Sequence, residues 1–143
     1  METLQIRPMT LHDVKVVGMR QWEADEVRGL GLDYQGALTK TFFQSDEAFA
    51  VSSDGQLLLL VGHWARSMFL GSGVAWMFVT PEGDERWRQL VRLSRKIVTQ
   101  LSSMYPYLYV ATYCENVRAI RFLEWHGFKI DSRQGQTLTM VKH

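Results

Sequence analysis

Proton transfer is one chemistry that the polar residues of this chain could perform. Three carboxylates, Glu23, Asp25 and Glu26, lie close together, and His63 follows a long apolar run. Carboxylates and imidazoles act as general bases when burial or neighbouring charges tune their pKa. Glu26 and His63 are therefore our candidates for a base. The ordinary alternatives are a solvated acidic loop and a histidine packed on a strand.

The remaining reactive side chains do not form a recognisable site. His12, His126 and His143 show no metal-ligand spacing with Cys114 or with one another, so we predict no metal site. A single cysteine cannot form an internal disulfide. We expect Cys114 to be a buried small residue rather than a nucleophile.

The apolar periodicity predicts the element order β-α-α-β-β-β-α-β-α-β-β. Thr10 can cap the first helix, with Asp13 as an imperfect capping box. Asp54-Gly55 predicts a tight hairpin, and Gly71-Ser72-Gly73 a second turn. The predicted strands are 4–7, 48–52, 56–66, 74–80, 108–113, 129–132 and 137–141, and the predicted helices are 11–20, 34–43, 84–104 and a short one after Asn116.

The short helix after residue 113 carries the most specific pattern in the chain. Asn116 is a good N-cap. Ala119 and Phe122 follow at helical spacing, Gly127 suits the left-handed residue that ends a helix, and Phe128 begins the next apolar run. This unit resembles the closing motif N-x-x-A-x-x-F-Y-x-x-x-G-F of the GNAT (Gcn5-related N-acetyltransferase) superfamily.

The resemblance and the element order imply the same fold. We expect an α/β (α+β) protein with a mixed, mostly antiparallel sheet of about seven strands and helices on both faces. In this superfamily the fourth and fifth strands splay apart, and coenzyme A lies in the gap. Residues 1–143 are expected to form a single GNAT-like domain.

The resemblance also defines where a cofactor would bind. Acetyl-CoA would contact the end of the fourth strand, the segment that follows it and the cap of the short helix. The residues implied there are Phe78, Val79, Thr80, Arg86, Arg88 and Asn116.

Two departures from the family pattern weaken the expected chemistry. The family's tyrosine often protonates the departing thiolate, and Leu123 stands in its place with no proton to give. The family also has Q/R-x-x-G-x-G/A before the long helix, where backbone N–H groups wrap a pyrophosphate. Residues 81–88 instead offer one glycine, three carboxylates and Trp87. No confident catalytic residue follows from this pattern.

Composition restricts the partners. A net charge of +1 gives no global reason to expect nucleic acid. The long helix does carry Arg88, Arg92, Arg95 and Lys96, for which a solvated face is the simplest explanation. Trp125, off the apolar face of its helix, is the best candidate for a contact residue. No segment has the length or layout of a membrane span or signal peptide, so we expect no membrane partner and a cytoplasmic location.

Three functions remain open from the sequence, and one of them, a nucleic-acid-binding module, rests only on the arginines of the long helix. Phe78–Trp87 and Asn116–Gly127 are similar to GNAT-like internal virion or morphogenesis proteins of short-tailed bacteriophages. That resemblance implies a catalytically degenerate protein that contacts phage virion or host proteins, in the host cytoplasm or inside the virion, with homo-oligomerisation left open. The alternative is an active acetyl-CoA-dependent N-acetyltransferase that acts on an amine.

Overall fold

The computed structural model describes residues 4–18, 34–113, 117–135 and 137–143. Its elements follow the predicted order, with one additional short helix. The strands are β1 (Gln5–Pro8), β2 (Glu47–Ser53), β3 (Gln56–Ser67), β4 (Ser72–Val79), β5 (Tyr107–Tyr113), β6 (Lys129–Gln134) and β7 (Thr137–Lys142), and the helices are α1 (Leu11–Gly18), α2 (Tyr34–Gln44), α3 (Pro81–Glu85), α4 (Trp87–Met104) and α5 (Val117–Trp125).

The seven strands form one mixed sheet in the order β1-β2-β3-β4-β5-β7-β6. β1 with β2, β5 with β7, and β6 with β7 are antiparallel pairs, whereas β4 and β5 are parallel. A parallel pair requires a crossover, which α3 and α4 supply. The predicted fold class, a mixed sheet of about seven strands with helices, is confirmed. None of the described helices combines the length and apolar character that a membrane span requires.

Contacts along the chain separate two compact units, which are described individually. Unit 1 comprises Met1–Gly62 and Met77–Arg88, and unit 2 comprises His63–Trp76 and Gln89–His143. The expectation of a single domain stays a prediction.

In unit 1, the start of α1 is fixed by a buried carboxylate. Asp13 accepts hydrogen bonds from the backbone N–H of Thr10 (2.8 Å) and from both terminal nitrogens of Arg7 (2.8 and 2.6 Å). The carboxylate half of the predicted capping box is therefore present, whereas the Asp13 N–H donates to the Thr10 carbonyl at 3.0 Å and the Thr10 hydroxyl donates to Asp13. Burial raises the pKa of Asp13, but the Arg7 hydrogen bonds, the Thr10 N–H and the Arg7 charge outweigh it, so the pKa is lowered. This carboxylate stays ionised because its partners outweigh desolvation.

The predicted hairpin between β2 and β3 is also found in unit 1. Asp54 and Gly55 both have positive φ, at 53° and 76°. This pairing of left-handed residues matches the twist of the flanking strands. β3 then continues through Leu58, Leu59 and Leu60, which are fully buried, as the apolar run predicts.

The core of unit 2 is formed by residues on or next to β4, α4, β5, α5 and β7. It comprises Ala75, Leu101, Tyr105, Leu108, Leu123, Phe128, Leu138 and Met140. The predicted turn at Gly71-Ser72-Gly73 is only partly right, since β4 already begins at Ser72. Gly73 lies inside β4, where the Tyr105 ring packs against its backbone and leaves no room for a Cβ. A Cβ on Gly73 would approach that ring to 2.4 Å.

The predicted long helix at 84–104 begins later in the structure. α4 starts at Trp87, after the separate five-residue helix α3 and a break at Arg86, whose φ and ψ are −108° and 31°. No sequence pattern predicted α3, because its first residues, Pro81, Glu82 and Gly83, are typical of a loop. Proline is in fact well tolerated in the first turn of a helix.

Candidate cofactor and catalytic site

The segment after β4, where the resemblance places the cofactor, is organised by the Thr80 side chain. Its hydroxyl donates to the Leu57 carbonyl at 2.7 Å and accepts from the Gly83 N–H at 3.1 Å. Thr80 thus caps α3 at its amino end and ties that helix to β3. The Asp84 N–H donates to the Thr80 carbonyl at 2.9 Å. These N–H groups serve the turn itself.

Gly83 is required by close packing rather than by a ligand. A Cβ at this position would lie 2.1 Å from the Leu58 carbonyl oxygen and 3.0 Å from Val79. The single glycine that the sequence offers in place of the family's glycine-rich wrap is therefore a packing residue. Its N–H is already bonded to Thr80.

The two predicted phosphate-binding arginines differ in their surroundings. Arg86 ends α3, donates its N–H to the Gly83 carbonyl, and has a guanidinium nitrogen 4.0 Å from Asp54. Arg88 lies exposed in the first turn of α4. As an exposed cation, Arg88 is the better suited of the two to hold a phosphate.

Phe78 and Val79, the strand residues predicted to contact the cofactor, are half-buried at the end of β4. The parallel register of β4 with β5 runs from Ser72–Tyr107 to Val74–Tyr109. It therefore covers the amino ends of both strands, while β4 continues to Val79. This pairing fits a splay that opens toward the carboxyl ends.

The end of α5 places Leu123 in the core. The Phe128 N–H donates to the Leu123 carbonyl at 3.0 Å, and the Gly127 N–H donates to Glu124 at 2.9 Å, with Gly127 at φ 94°. This is a Schellman ending, which commonly includes an apolar contact between the residues at the positions of Leu123 and Phe128. Leu123 is 8% exposed and belongs to the unit 2 core. The Leu123 side chain therefore stabilises the end of the helix and has no acidic proton to donate.

A buried polar pair lies beside that ending, which the sequence did not reveal. Nδ1 of His126 donates to the Phe122 carbonyl at 2.8 Å, and Nε2 lies 3.1 Å from Ser94 Oγ on α4. Burial lowers the pKa of His126; the Phe122 bond opposes this, and the charges of Lys142 and Arg95 lower it further. Because Ser94 lies on the apolar stripe, only the polar character of both residues could have suggested the pair.

His63, a predicted base candidate, lies away from the turn after β4. It is buried, and its Nδ1 shares a 2.9 Å hydrogen bond with the Tyr105 hydroxyl. Tyr105 precedes β5, so the pair lies at the end of the parallel strands where their register is formed. The arrangement orients both rings within unit 2.

The remaining predicted residues lie outside the part of the chain that the structure describes. These are Glu23, Asp25, Glu26, Cys114 and Asn116, so their roles stay predictions. Among the described residues, no cluster of three or more histidine, cysteine or acidic side chains could bind a metal ion.

Solved structures with the same fold include several acetyltransferases. Spermidine N-acetyltransferase from Vibrio cholerae, solved with CoA and spermine, aligns with a TM-score of 0.71 at 14% identity, covering 96% of this chain and 94% of that one. The aminoglycoside acetyltransferase AAC(6')-Ib, solved with coenzyme A, gives 0.69 at 17%, with 98% and 94% covered. PH1933 from Pyrococcus horikoshii gives 0.72 at 18%, with 99% and 98% covered.

No protein-family model matches the chain, and no curated protein matches its sequence. At these identities the structural likeness establishes the fold alone. The chain has the GNAT fold, and it spans nearly the whole length of the acetyltransferases to which it is similar.

Proposed function

We propose that this protein is an acetyl-CoA-dependent N-acetyltransferase that acts on an amine. The observation that carries the proposal is the full-length likeness to acetyltransferases, two of which were solved with the cofactor bound. A fold does not by itself define a function, so the residues of the site must also be compatible with it.

The described residues can accommodate the cofactor in a modified way. The Thr80–Gly83 turn uses its N–H groups internally, so it offers no glycine-rich wrap for the pyrophosphate. The exposed Arg88 would bind the phosphates instead. The backbone beside Phe78 and Val79 would hold the pantetheine arm, and backbone recognition tolerates changes of side chain.

Acetyl-CoA would supply an activated acetyl thioester, and the amine would displace the thiolate. The side chain of Leu123 cannot protonate that thiolate, and in this proposal solvent does so. A thiol with a pKa near 8.5 leaves tolerably without help, and loss of a general acid costs about 10²–10⁴ in rate. Slow turnover is therefore expected rather than none.

Thermal unfolding with and without acetyl-CoA tests the proposal. Ligand at 100 times its Kd should stabilise the fold by about 2.7 kcal/mol. Arg88→Ala should weaken this binding, whereas Lys40→Ala, an exposed lysine on α2, should not. Amine-dependent release of CoA thiol, measured with spermidine, spermine and an aminoglycoside, would then establish transfer.

A second candidate is a protein that keeps the fold without catalysis. The burial of Leu123 in the core and the commitment of the Gly83 N–H favour it. The association with phage virions stays a prediction within this candidate. Millimolar acetyl-CoA that neither stabilises the protein nor is consumed would exclude the enzyme and support this alternative.

A further inference from the structure

The net charge of the whole chain conceals a strong separation of charge between the two units. Unit 2 contains nine Lys and Arg residues and three Asp and Glu residues, which gives a formal charge of +6. Unit 1 contains seven and twelve, which gives −5. The total of +1 gives no reason to expect an anionic polymer as a partner, whereas a charge of +6 on one unit does.

The positive charge of unit 2 lies partly on the exposed side of α4. Arg92, Arg95 and Lys96 are all exposed, and α4 contains no acidic residue. The same side carries a shallow depression of about 420 Å³. It is lined by Arg95, Lys96, Thr99, Gln100 and Ser103. Two cations, with the Thr99 and Gln100 side chains beside them, suit a row of phosphates.

α5 extends this surface with two more arginines and an aromatic ring. Arg118, Arg121 and Trp125 are exposed and follow one another at helical spacing, so they lie along one side of the helix. The Arg95 guanidinium lies 4.1 Å from the centroid of the Trp125 ring, which joins α5 to α4. Trp125 is nevertheless 51% exposed. We call Arg92, Arg95, Lys96, Arg118, Arg121 and Trp125 the basic face.

We propose that the basic face binds single-stranded nucleic acid. Arginine and lysine supply contacts to the phosphate backbone, and an exposed indole offers a surface on which a base can stack. An acidic protein could also use the cations, but cations that lie beside an exposed ring suit the phosphates and bases that alternate along a nucleic acid. A single strand is favoured over a duplex because its bases are free to stack.

Fluorescence anisotropy with a labelled fifteen-nucleotide oligo(dT) tests this proposal. Replacing Arg92 and Lys96 together by alanine should weaken binding and reduce the slope of log K against log salt by roughly 1.4, because each neutralised phosphate contributes about 0.7 to that slope. Trp125→Leu should weaken binding roughly tenfold, because a base can no longer stack on the indole. The matched control replaces Lys15 and Lys40, exposed lysines of unit 1, by alanine and should bind as the unchanged protein does.

Three results would overturn the proposal. A poly-glutamate peptide that competes as well as oligo(dT) would identify an acidic protein as the partner. Equally weakened binding in the basic-face and control variants would indicate unspecific attraction. Displacement of the oligonucleotide by saturating coenzyme A would place it at the cofactor site. All substituted side chains are exposed, so unchanged circular dichroism and Tm verify the fold, and a failure of acetyl transfer leaves this test unaffected.

Discussion

The turn after β4 and the end of α5 are the two places where the GNAT resemblance predicts cofactor chemistry, and both are used for packing here. In the turn, the Gly83 N–H is hydrogen-bonded to the Thr80 hydroxyl, and Gly83 packs against a backbone carbonyl of β3. At the end of α5, Leu123 is buried with Phe128. The turn therefore has few backbone donors to offer a ligand, and the end of α5 has no acid at position 123.

The two regions nevertheless differ in what a ligand still finds there. Beside the turn, Arg88 in the first turn of α4 is exposed, so a phosphate can still bind to a cation there. At the end of α5, no proton donor replaces the tyrosine hydroxyl at position 123. The comparison predicts that cofactor binding is more tolerant of change than proton transfer.

Gly83→Ala should have the largest effect on stability. The new Cβ would approach a backbone carbonyl oxygen to 2.1 Å, and a backbone atom cannot move aside as a flexible side chain does. We expect a decrease of about 3 kcal/mol or more in the free energy of unfolding, measured with urea. Gly36→Ala, an exposed glycine within α2, is the control and should stabilise slightly. If Gly83→Ala leaves the free energy of unfolding unchanged, the packing role of Gly83 is wrong.

Leu123→Ala should destabilise the protein by about 2–5 kcal/mol, since it removes a core side chain and leaves a cavity. Val117→Ala on the same helix, where Val117 is 54% exposed, should change stability by less than about 0.5 kcal/mol. Urea unfolding of both variants measures the difference. Similar values for the two would show that position 123 does not stabilise the end of α5.

A smaller effect should appear as pH dependence at the end of α5. Because the pKa of His126 is lowered on folding, the folded state binds fewer protons than the unfolded one. Its contribution is present above the unfolded pKa of about 6.5 and is lost as the pH falls below that value. Tm should therefore decrease from pH 6.5 downward, and His126→Gln should flatten that decrease. A decrease of equal size in the variant would exclude His126 as its source.

Asp13 should make stability depend on pH in a separate, lower pH range. Its pKa is also lowered, so its contribution is present above about 3.9 and is lost as the pH falls further. Asp13→Asn should remove acid sensitivity of Tm in that range but leave the change below pH 6.5 intact. The hydrogen bonds of the turn after β4 join uncharged groups of Thr80 and Gly83, so they should not change Tm in either pH range.

The element order and the end of α5 could be predicted from the sequence, because those features depend on local rules. Apolar periodicity defines helices and strands, and Gly127 marks a helix ending whatever surrounds it. The carboxylate half of the capping box at Asp13 could be predicted for the same reason. Even so, the predicted start of α4 was wrong, because a proline and a glycine suggested a loop where α3 lies.

The site was less predictable, because its residues act through distant partners. Gly83 packs against Leu58, and Gly73 packs against Tyr105. His63 is hydrogen-bonded to Tyr105 as well, and the partners in each pair are far apart in sequence. The pairing of Ser94 with His126 likewise depends on two helices meeting. Charge separation was present in the sequence, but it becomes visible only when residues are assigned to the two units.

The pH dependence of amine-dependent CoA release tests the central claim most directly, namely acetyl transfer without a tyrosine acid. The rate should rise with pH as the amine loses its proton, toward a pKa near 10.4. It should then level off without the decline near pH 10 that an essential tyrosine would cause. A bell-shaped profile, or no amine-dependent release at any pH, would contradict the account.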